Sequence, residues 1–398
     1  MNENIKQLYN IAKKNKRYIL GLMSGTSLDG LDMALCEIKK HGPKTKLKLL
    51  HFETADYEED FKEEIKTVFS KKNVDLEKLC LLNPWVAKTH AAIINETLKK
   101  WNIKKEVIDL IASHGQTIYH APKSLHQQKK FGNATLQIGD GDHLAVDTGV
   151  ITISDFRQKN IAAGAEGAPL AVYGDYLLFS KEGEERILLN IGGIANFTYL
   201  PADKNKETLC SDTGPGNTMM DAFVQRNFKG IYFDKDAAIA KKGIVNDQLL
   251  AVLKENDFFV QPFPKTTGPE LFNMAYLEKA KIKSDTTNVS IEDCMATLNR
   301  FTSDTISQAI KDTVKNKKIK IFTSGGGMHN PLLIEHLKES LPRCVFNSTE
   351  KLGIDPDAKE AILFAILANE CIAGANNYTI KSATIVPAIA MGKISFPG

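Results

Sequence analysis

The sequence predicts an α/β fold of two similar lobes, and three observations carry that expectation. The chain has 398 residues, more than one hydrophobic core usually serves. A hairpin of strand, glycine-bearing tip and strand opens near residue 17, and the same pattern restarts at Arg186. Late in the second half a strand over 319–323 meets Gly325-Gly326-Gly327, and a helix follows from Pro331. That last arrangement lets a ligand lie directly on the main chain. A strand-to-helix crossing packed closely also uses glycine there, though it rarely needs three.

The first lobe opens on an apolar strand running into Gly21-Leu22-Met23-Ser24-Gly25-Thr26-Ser27-Leu28-Asp29-Gly30-Leu31-Asp32, and residues 33–38 leave it as a second strand. Its glycines free the backbone to aim N–H groups at an anion, the Ser and Thr hydroxyls add donors, and Asp29 and Asp32 can hold a cation. A nucleoside triphosphate with its metal needs all of these. Helical spacing covers 57–71 and 75–101, with a break expected near Asn83-Pro84. A buried strand over 107–112 ends in Ser113-His114-Gly115-Gln116-Thr117. Short strands over 135–138 and 150–154 precede the glycine-rich loop 162–169, whose Pro169 suits the first turn of a helix. Polar segments after strands are where open α/β sheets form ligand sites.

The charged run 181–186 is the expected lobe boundary and hinge. It divides the chain into an extension at 1–16, a first lobe at 17–183 and a second at 184–398, with room for the C-terminal segment to pack back on the first. The second lobe repeats the hairpin around Gly192-Gly193, with Asn196 on the returning strand. A third strand over 208–210 leads into Ser211-Asp212-Thr213-Gly214-Pro215-Gly216-Asn217, helical spacing covers 218–228, and a long helix spans about 291–314.

Composition narrows the function. Lys plus Arg number 51 against 48 Asp plus Glu, a net charge of +3, too balanced for a dedicated nucleic-acid or membrane-surface protein. A small-molecule partner is expected, with neither nucleic acid nor membrane. The six cysteines are scattered without a Cys-x-x-Cys, and read as buried free thiols of a reducing compartment. The polar start and the lack of any long apolar run point to the cytoplasm. No Gly-x-x-x-x-Gly-Lys-Ser/Thr occurs and no Gly-x-Gly-x-x-Gly follows a strand, so Walker-type NTPases, dinucleotide folds and protein kinases are unsupported.

The paired hairpins and the strand-triple-glycine-helix resemble the actin, hexokinase and Hsp70 superfamily. That fold is a duplicated, ribonuclease H-like α/β architecture of two lobes, with ATP and sugar in the interlobe cleft. Segments 21–32, 113–117, 137–140, 154–157, 189–196, 212–217, 233–236, 267–273 and 324–327 together resemble the anhydro-N-acetylmuramic acid kinases of bacterial cell-wall recycling. The resemblance covers about Arg17 to Pro397. It implies an enzyme that opens the 1,6-anhydro ring with water and transfers the γ-phosphate of ATP to O6, with Mg²⁺ as cofactor.

The same resemblance implies roles residue by residue. Asp212 matches the catalytic aspartate of an Asp-Thr/Cys-Gly-Pro-Gly-Asn motif; read alone, it serves equally as a turn aspartate before a helix. Glu360 matches an acidic position near the sugar, and read alone is a solvated helix-start glutamate. Gly25, Thr26, Ser27, Leu28, Asp29, Gly30, Leu31 and Asp32 match the ATP phosphate segment, with Asp29 approaching the metal through water. Gly192, Gly193 and Asn196 match the second phosphate hairpin, and Gly325, Gly326 and Gly327 the nucleoside contact. Gly139, Thr148, Gly149, Asp155, Arg157 and Gly167 would line the sugar side. Arg157 either pairs with the lactyl carboxylate of a muramic sugar or bridges Asp155 or another acid as a structural residue. His114 and His120 lack a matching carboxylate set and read as structural histidines.

Two positions depart from the family pattern. Glu166 stands where an amide is customary, and Gly141 where proline would fix the loop after Asp140. Neither touches Asp212 or the hairpins, so the kinase reading is firmer than the exact sugar. A sensor that binds ATP or muropeptides without turnover is the reading from another class, and it has no use for a water-activating base. The sequence does not set the oligomeric state, a homodimer being one assembly it allows.

Overall fold

The computed structural model describes the chain except Thr26, Pro169, residues 204–205 and 316–317, Pro356 and residues 375–386. The described residues fall into two compact units, one from residues 1–178 with those after 356, the other from 179–355. In the first, β1 (Lys16–Ser24), β2 (Gly30–Lys39) and β3 (Lys46–Asp56) form an antiparallel meander. β4 (Leu110–Ala121) joins parallel to β1, β5 (Ala134–Ile138) folds back on the far end of β4, and β6 (Thr152–Ser154) adds parallel to β4. In the second unit β7 (Arg186–Ile191), β8 (Ile194–Leu200) and β9 (Leu209–Pro215) repeat the meander, and β10 (Lys320–Ser324) and β11 (Val345–Ser348) extend it in parallel. β12 (Lys393–Ser395) pairs with β6 in the first unit.

The core orders are β3-β2-β1-β4-β6 and β9-β8-β7-β10-β11. The same topology therefore occurs twice, a duplicated α/β architecture as the sequence predicts. Both parallel additions place strand C-terminal ends beside the meander's first tip, where ligand-binding loops gather.

Burial explains the strand sequences. β1 and β2 are apolar on both faces because helices cover both. On one side Leu22, Leu31 and Met33 pack with Phe61, Val86 and Ile94. On the other, the helix Lys359–Ala373 crosses β1 so closely that a side chain at Gly21 would overlap the Ala361 carbonyl. The second unit holds two clusters. Ile187, Leu189 and Ile321 pack with Ile306 and Ile310 of the helix Ile291–Val314, while the first half of that helix anchors a helical cap through Met295, Leu298 and Phe301.

The structure departs from the sequence expectations in several places. The helix Leu76–Lys100 continues through Pro84 instead of breaking. Proline removes one N–H toward Cys80, but Cys80 is exposed and water can serve its carbonyl, while buried Leu82, Val86 and Ala87 pin the helix on both sides. β4 does not end at Ser113 but runs to Ala121, because β5 gives its second half a partner. β9 likewise runs to Pro215, so Asp212 lies inside a strand rather than at its end. Residues 1–16, whose order the sequence leaves open, are tied to the residues that follow them. The helix Glu3–Lys13 is capped by Asn2, and Arg17 donates to the Ala12 and Lys14 carbonyls at 3.1 and 2.6 Å. Lys14 also pairs with Asp109 at 2.5 Å.

The C-terminal segment from Asp357 groups with the first unit, where β12 and the helix Lys359–Ala373 complete the sheet and its cover. The units divide at Leu178/Phe179, earlier than residue 183, since Arg186 on β7 holds the Phe179 carbonyl at 2.7 Å.

Candidate active site

In the first unit the β1–β2 tip is held from beneath by a directed hydrogen-bond relay. Ser24 Oγ donates to Gln116 Oε1 at 2.5 Å, and Gln116 Nε2 donates to the Gly25 carbonyl at 3.3 Å. Tyr57 Oη donates to Ser24 Oγ at 2.7 Å and lies 2.9 Å from His90 Nε2, so His90 is the donor there. Burial holds His90 down to about 4, leaving it neutral, and pushes the Tyr57 hydroxyl up. The Tyr57 amide adds a bond of 3.1 Å to the Asp29 carbonyl. Leu28 is buried although its φ is +59°, so the tip is anchored through a strained residue. A side chain at Gly30 would overlap the Ala55 carbonyl, whereas one at Gly25 would meet only Ser27 Oγ at 3.6 Å. Packing thus accounts for Gly30 and leaves Gly25 open to a ligand. Thr26 lies outside the described residues.

Behind the tip, acids converge. Burial lifts the Asp32 carboxyl, the Thr54 hydroxyl at 2.6 Å opposes this, and Asp357 and Asp29 lift it further. Glu360 keeps a solvent-open face, yet the protein around it raises its carboxyl, with Asp32 adding and Arg157 and Lys359 opposing. No three His, Cys, Asp or Glu side chains form a metal cage among the described residues. Carboxylate oxygens of this kind suit a hard cation that keeps waters and phosphate oxygens as its other ligands.

Arg157 does not bridge Asp155. Its Nε donates to His114 Nε2 at 3.0 Å and its Nη1 to the Gly167 carbonyl at 2.7 Å, while Asp155 pairs with Lys393 at 2.5 Å. His114 is buried and held down to about 3 by burial first and Arg157 second, so it is a neutral acceptor toward the arginine. A polar cavity of about 260 Å³ includes His114, Gln137, Gly139, Asp140, Asp155 and Lys393 in its wall. His114 Nδ1 and Gln137 Oε1 are buried without a hydrogen-bond partner among the described residues. Thr148 and Gly149 stand apart from that wall. The Thr148 hydroxyl is spent on the Leu144 carbonyl at 2.7 Å, and Gly149 caps the helix Gly141–Thr148 with φ +72°. Gly141 lies in the cavity wall, and Glu166 is close enough to His120 to favour its charged form against burial and Arg157.

In the second unit Gly192 and Gly193 form the β7–β8 tip, and their carbonyls accept from Asn217 and Gly216, each at 2.8 Å. Asn196 lies across β8 and β9 from Asp212. Asp212 Oδ2 accepts from the Thr267 amide at 2.9 Å, and the Asp212 amide donates to the Lys265 carbonyl at 3.0 Å. Lys265 is itself fixed, its Nζ donating to the Phe258 and Phe259 carbonyls at 2.9 and 3.0 Å. Burial raises the Asp212 carboxyl to about 6, against the Thr267 amide and with help from Glu270. One oxygen is oriented and the other has no protein donor among the described residues. A carboxylate tuned toward neutrality and held in one rotamer is suited to take a proton from water.

The three glycines after β10 differ in cause. Gly325 has φ +81° and a side chain there would meet Asn190 Oδ1 at 2.6 Å, while one at Gly327 would overlap Ile191. Gly326 has open space, its nearest neighbour being Asn217 Nδ2 at 3.6 Å. It borders a cavity of about 610 Å³ with apolar walls at Met220, Phe233 and Met295.

Sequence reasoning missed Tyr57, His90 and Thr267, whose roles depend on partners distant along the chain. It quoted 267–273 as a motif without assigning Thr267 a task.

The sequence model of the anhydro-N-acetylmuramic acid kinase family matches residues 16–395. The anhydro-N-acetylmuramic acid kinase of Pseudoalteromonas atlantica is 56% identical over 400 residues, covering 100% of both chains. That of Pseudoalteromonas translucida is 54% identical over 399 residues, again with 100% of each covered. That of Caldanaerobacter subterraneus is 38% identical over 393 residues, covering 98% of this chain and 99% of the relative.

Proposed function

The chain belongs to the anhydro-N-acetylmuramic acid kinase family, and on that premise we propose how its residues divide the family's reaction. The enzyme opens the 1,6-anhydro ring of anhydro-N-acetylmuramic acid with water and phosphorylates O6 from ATP, giving N-acetylmuramic acid 6-phosphate and ADP. Water attacks C1, the C1–O6 bond breaks, O6 takes the γ-phosphoryl group, and ADP leaves. The water proton goes to Asp212. The observation that carries this assignment is its half-satisfied carboxylate, with Oδ2 bound to the Thr267 amide at 2.9 Å and its acidity set at about 6.

Each unit supplies its own part of the machinery in this reading. The β1–β2 tip receives the phosphates, and Gly25 gives them room at the backbone. Gly192 and Gly193 serve as the second phosphate hairpin, and the cavity beside Gly326 takes the nucleoside. Mg²⁺ bound with ATP would offset the charge of the transferring phosphoryl group, and Asp29 is the carboxylate that would hold it, through water. On the sugar side Glu360 orients the ring. Arg157 has Nε and Nη1 committed, so its remaining Nη2 edge is the one available to the lactyl carboxylate. The partnerless His114 Nδ1 and Gln137 Oε1 offer a donor and an acceptor to the sugar's substituents.

The test is coupling. With anhydro-N-acetylmuramic acid, ATP and Mg²⁺ the purified protein should release one ADP per sugar consumed, and almost none without sugar. ADP release that ignores the sugar would overturn this division of roles.

A further inference from the structure

The cavity beside Gly326 contains one group that the reaction has not used. Asp221 lines it from the first turn of the helix Thr218–Asn227. Among the wall's other polar side chains, Tyr232, Lys235, Asp236 and His329 are exposed to solvent, and the rest are hydrogen-bonded. Asp234 accepts the Ile239 and Ala240 amides at 2.8 and 3.0 Å. Gln225 donates to the Tyr232 carbonyl at 3.0 Å, and Asn330 Oδ1 accepts from Asn299 and Leu333 at 3.1 and 3.0 Å. Asp221 alone is a half-buried wall carboxylate with no protein donor on either oxygen among the described residues.

Its surroundings define the ligand it fits. Met220, Phe233 and Met295 offer apolar walls for a flat base, and Gly326 opens the main chain on one side. A carboxylate with two free oxygens matches two adjacent hydroxyls, the vicinal diol of a ribose. We propose that Asp221 binds the 2′- and 3′-hydroxyls of the nucleotide's ribose and thereby selects ribonucleotides over deoxyribonucleotides as phosphoryl donors. The inference rests on the reading that the nucleoside occupies this cavity. Burial raises the Asp221 carboxyl to about 6, so it remains an acceptor at neutral pH, and an incoming pair of hydroxyl donors replaces the water it forgoes.

The experiment compares KM for ATP, 2′-deoxyATP and 3′-deoxyATP in the wild type, Asp221→Asn and Gly326→Leu, after checking that each variant melts cooperatively. The wild type should show KM about tenfold higher for either deoxynucleotide. Asp221→Asn should raise KM for ATP to that level and erase the discrimination, with the loss confined to KM. Gly326→Leu, whose side chain has space to enter the cavity, should raise KM for all three nucleotides alike. A wild type that uses deoxynucleotides as well as ATP, or an Asp221→Asn enzyme that still discriminates, overturns the role of Asp221. If Gly326→Leu leaves every KM unchanged, the nucleoside lies elsewhere and the reading beneath the proposal falls with it.

Discussion

Replacing Asp212 by asparagine separates catalysis from architecture, because the amide oxygen can keep the 2.9 Å bond from the Thr267 amide while losing all basicity. With the carboxyl at about 6, wild-type Asp212 is almost wholly ionised at pH 7.5. Removing a positioned general base costs about 10²- to 10⁴-fold in rate, or roughly 3–5 kcal/mol of barrier. Stability should move the other way. The folded carboxyl is raised above its ordinary 3.8, so the folded state holds the proton more tightly than the unfolded chain does. The ionised group therefore destabilises the fold above about pH 6, and that penalty fades as pH falls through the raised value toward the ordinary one. The neutral amide should relieve roughly 1–3 kcal/mol at pH 7.5. The assay is ADP release at saturating sugar and ATP, beside thermal melts at pH 7.5 and pH 4.5. The variant should lose at least about 100-fold in kcat, bind both substrates, and melt higher than the wild type by a clearly larger margin at the higher pH. Turnover within tenfold of wild type would refute the assignment of the base.

The other predictions use the surroundings of the same groups. Wild-type kcat/KM should fall as pH drops below about 6, and Glu270→Gln should move that fall to lower pH, because Glu270 helps to raise Asp212; an unmoved limb in a pH–rate profile would remove Glu270 from the site. Tyr57→Phe keeps the ring stack on Phe61 but breaks the bonds to Ser24 and His90, so it should cost about 1–3 kcal/mol in denaturant melts and raise KM for ATP more than it lowers kcat. Unchanged ATP kinetics would mean that the relay does not position the tip. Gly25→Val should weaken ATP use at least about tenfold without altering the melting temperature, since the position has ordinary φ and open space; normal ATP kinetics would end the phosphate role of that loop.

Much of this was legible in the residues, and the reasons differ by element. Both hairpins announce themselves because apolar strands on either side of a small polar tip are local features. Their repetition predicts two similar lobes. The glycine triplet was legible as a site but not as three separate causes: Gly325 and Gly327 answer to β7, some 130 residues earlier in sequence, and only Gly326 is free for a ligand. Asp212 could be singled out, yet its raised carboxyl comes from burial first, with the Thr267 amide opposing and Glu270 adding, and all three reach it only through tertiary structure. Arg157 shows the same limit. Its adjacency to Asp155 in sequence suggested an ion pair, but Asp155 has φ +54° and pairs with Lys393, leaving the arginine for His114 and Gly167. The C-terminal helix carries Glu360 to Asp32 because it covers β1, bringing together residues far apart along the chain.

The central claim is that one turnover joins hydrolysis at C1 to phosphorylation at O6. Mass spectrometry of the product formed in ¹⁸O water, with fragmentation of the sugar phosphate, tests it most directly. The account predicts one heavy oxygen at C1 and none in the phosphate ester, because the ester oxygen was already in the sugar. Heavy oxygen in the ester, or a product with no heavy oxygen at C1, would contradict it.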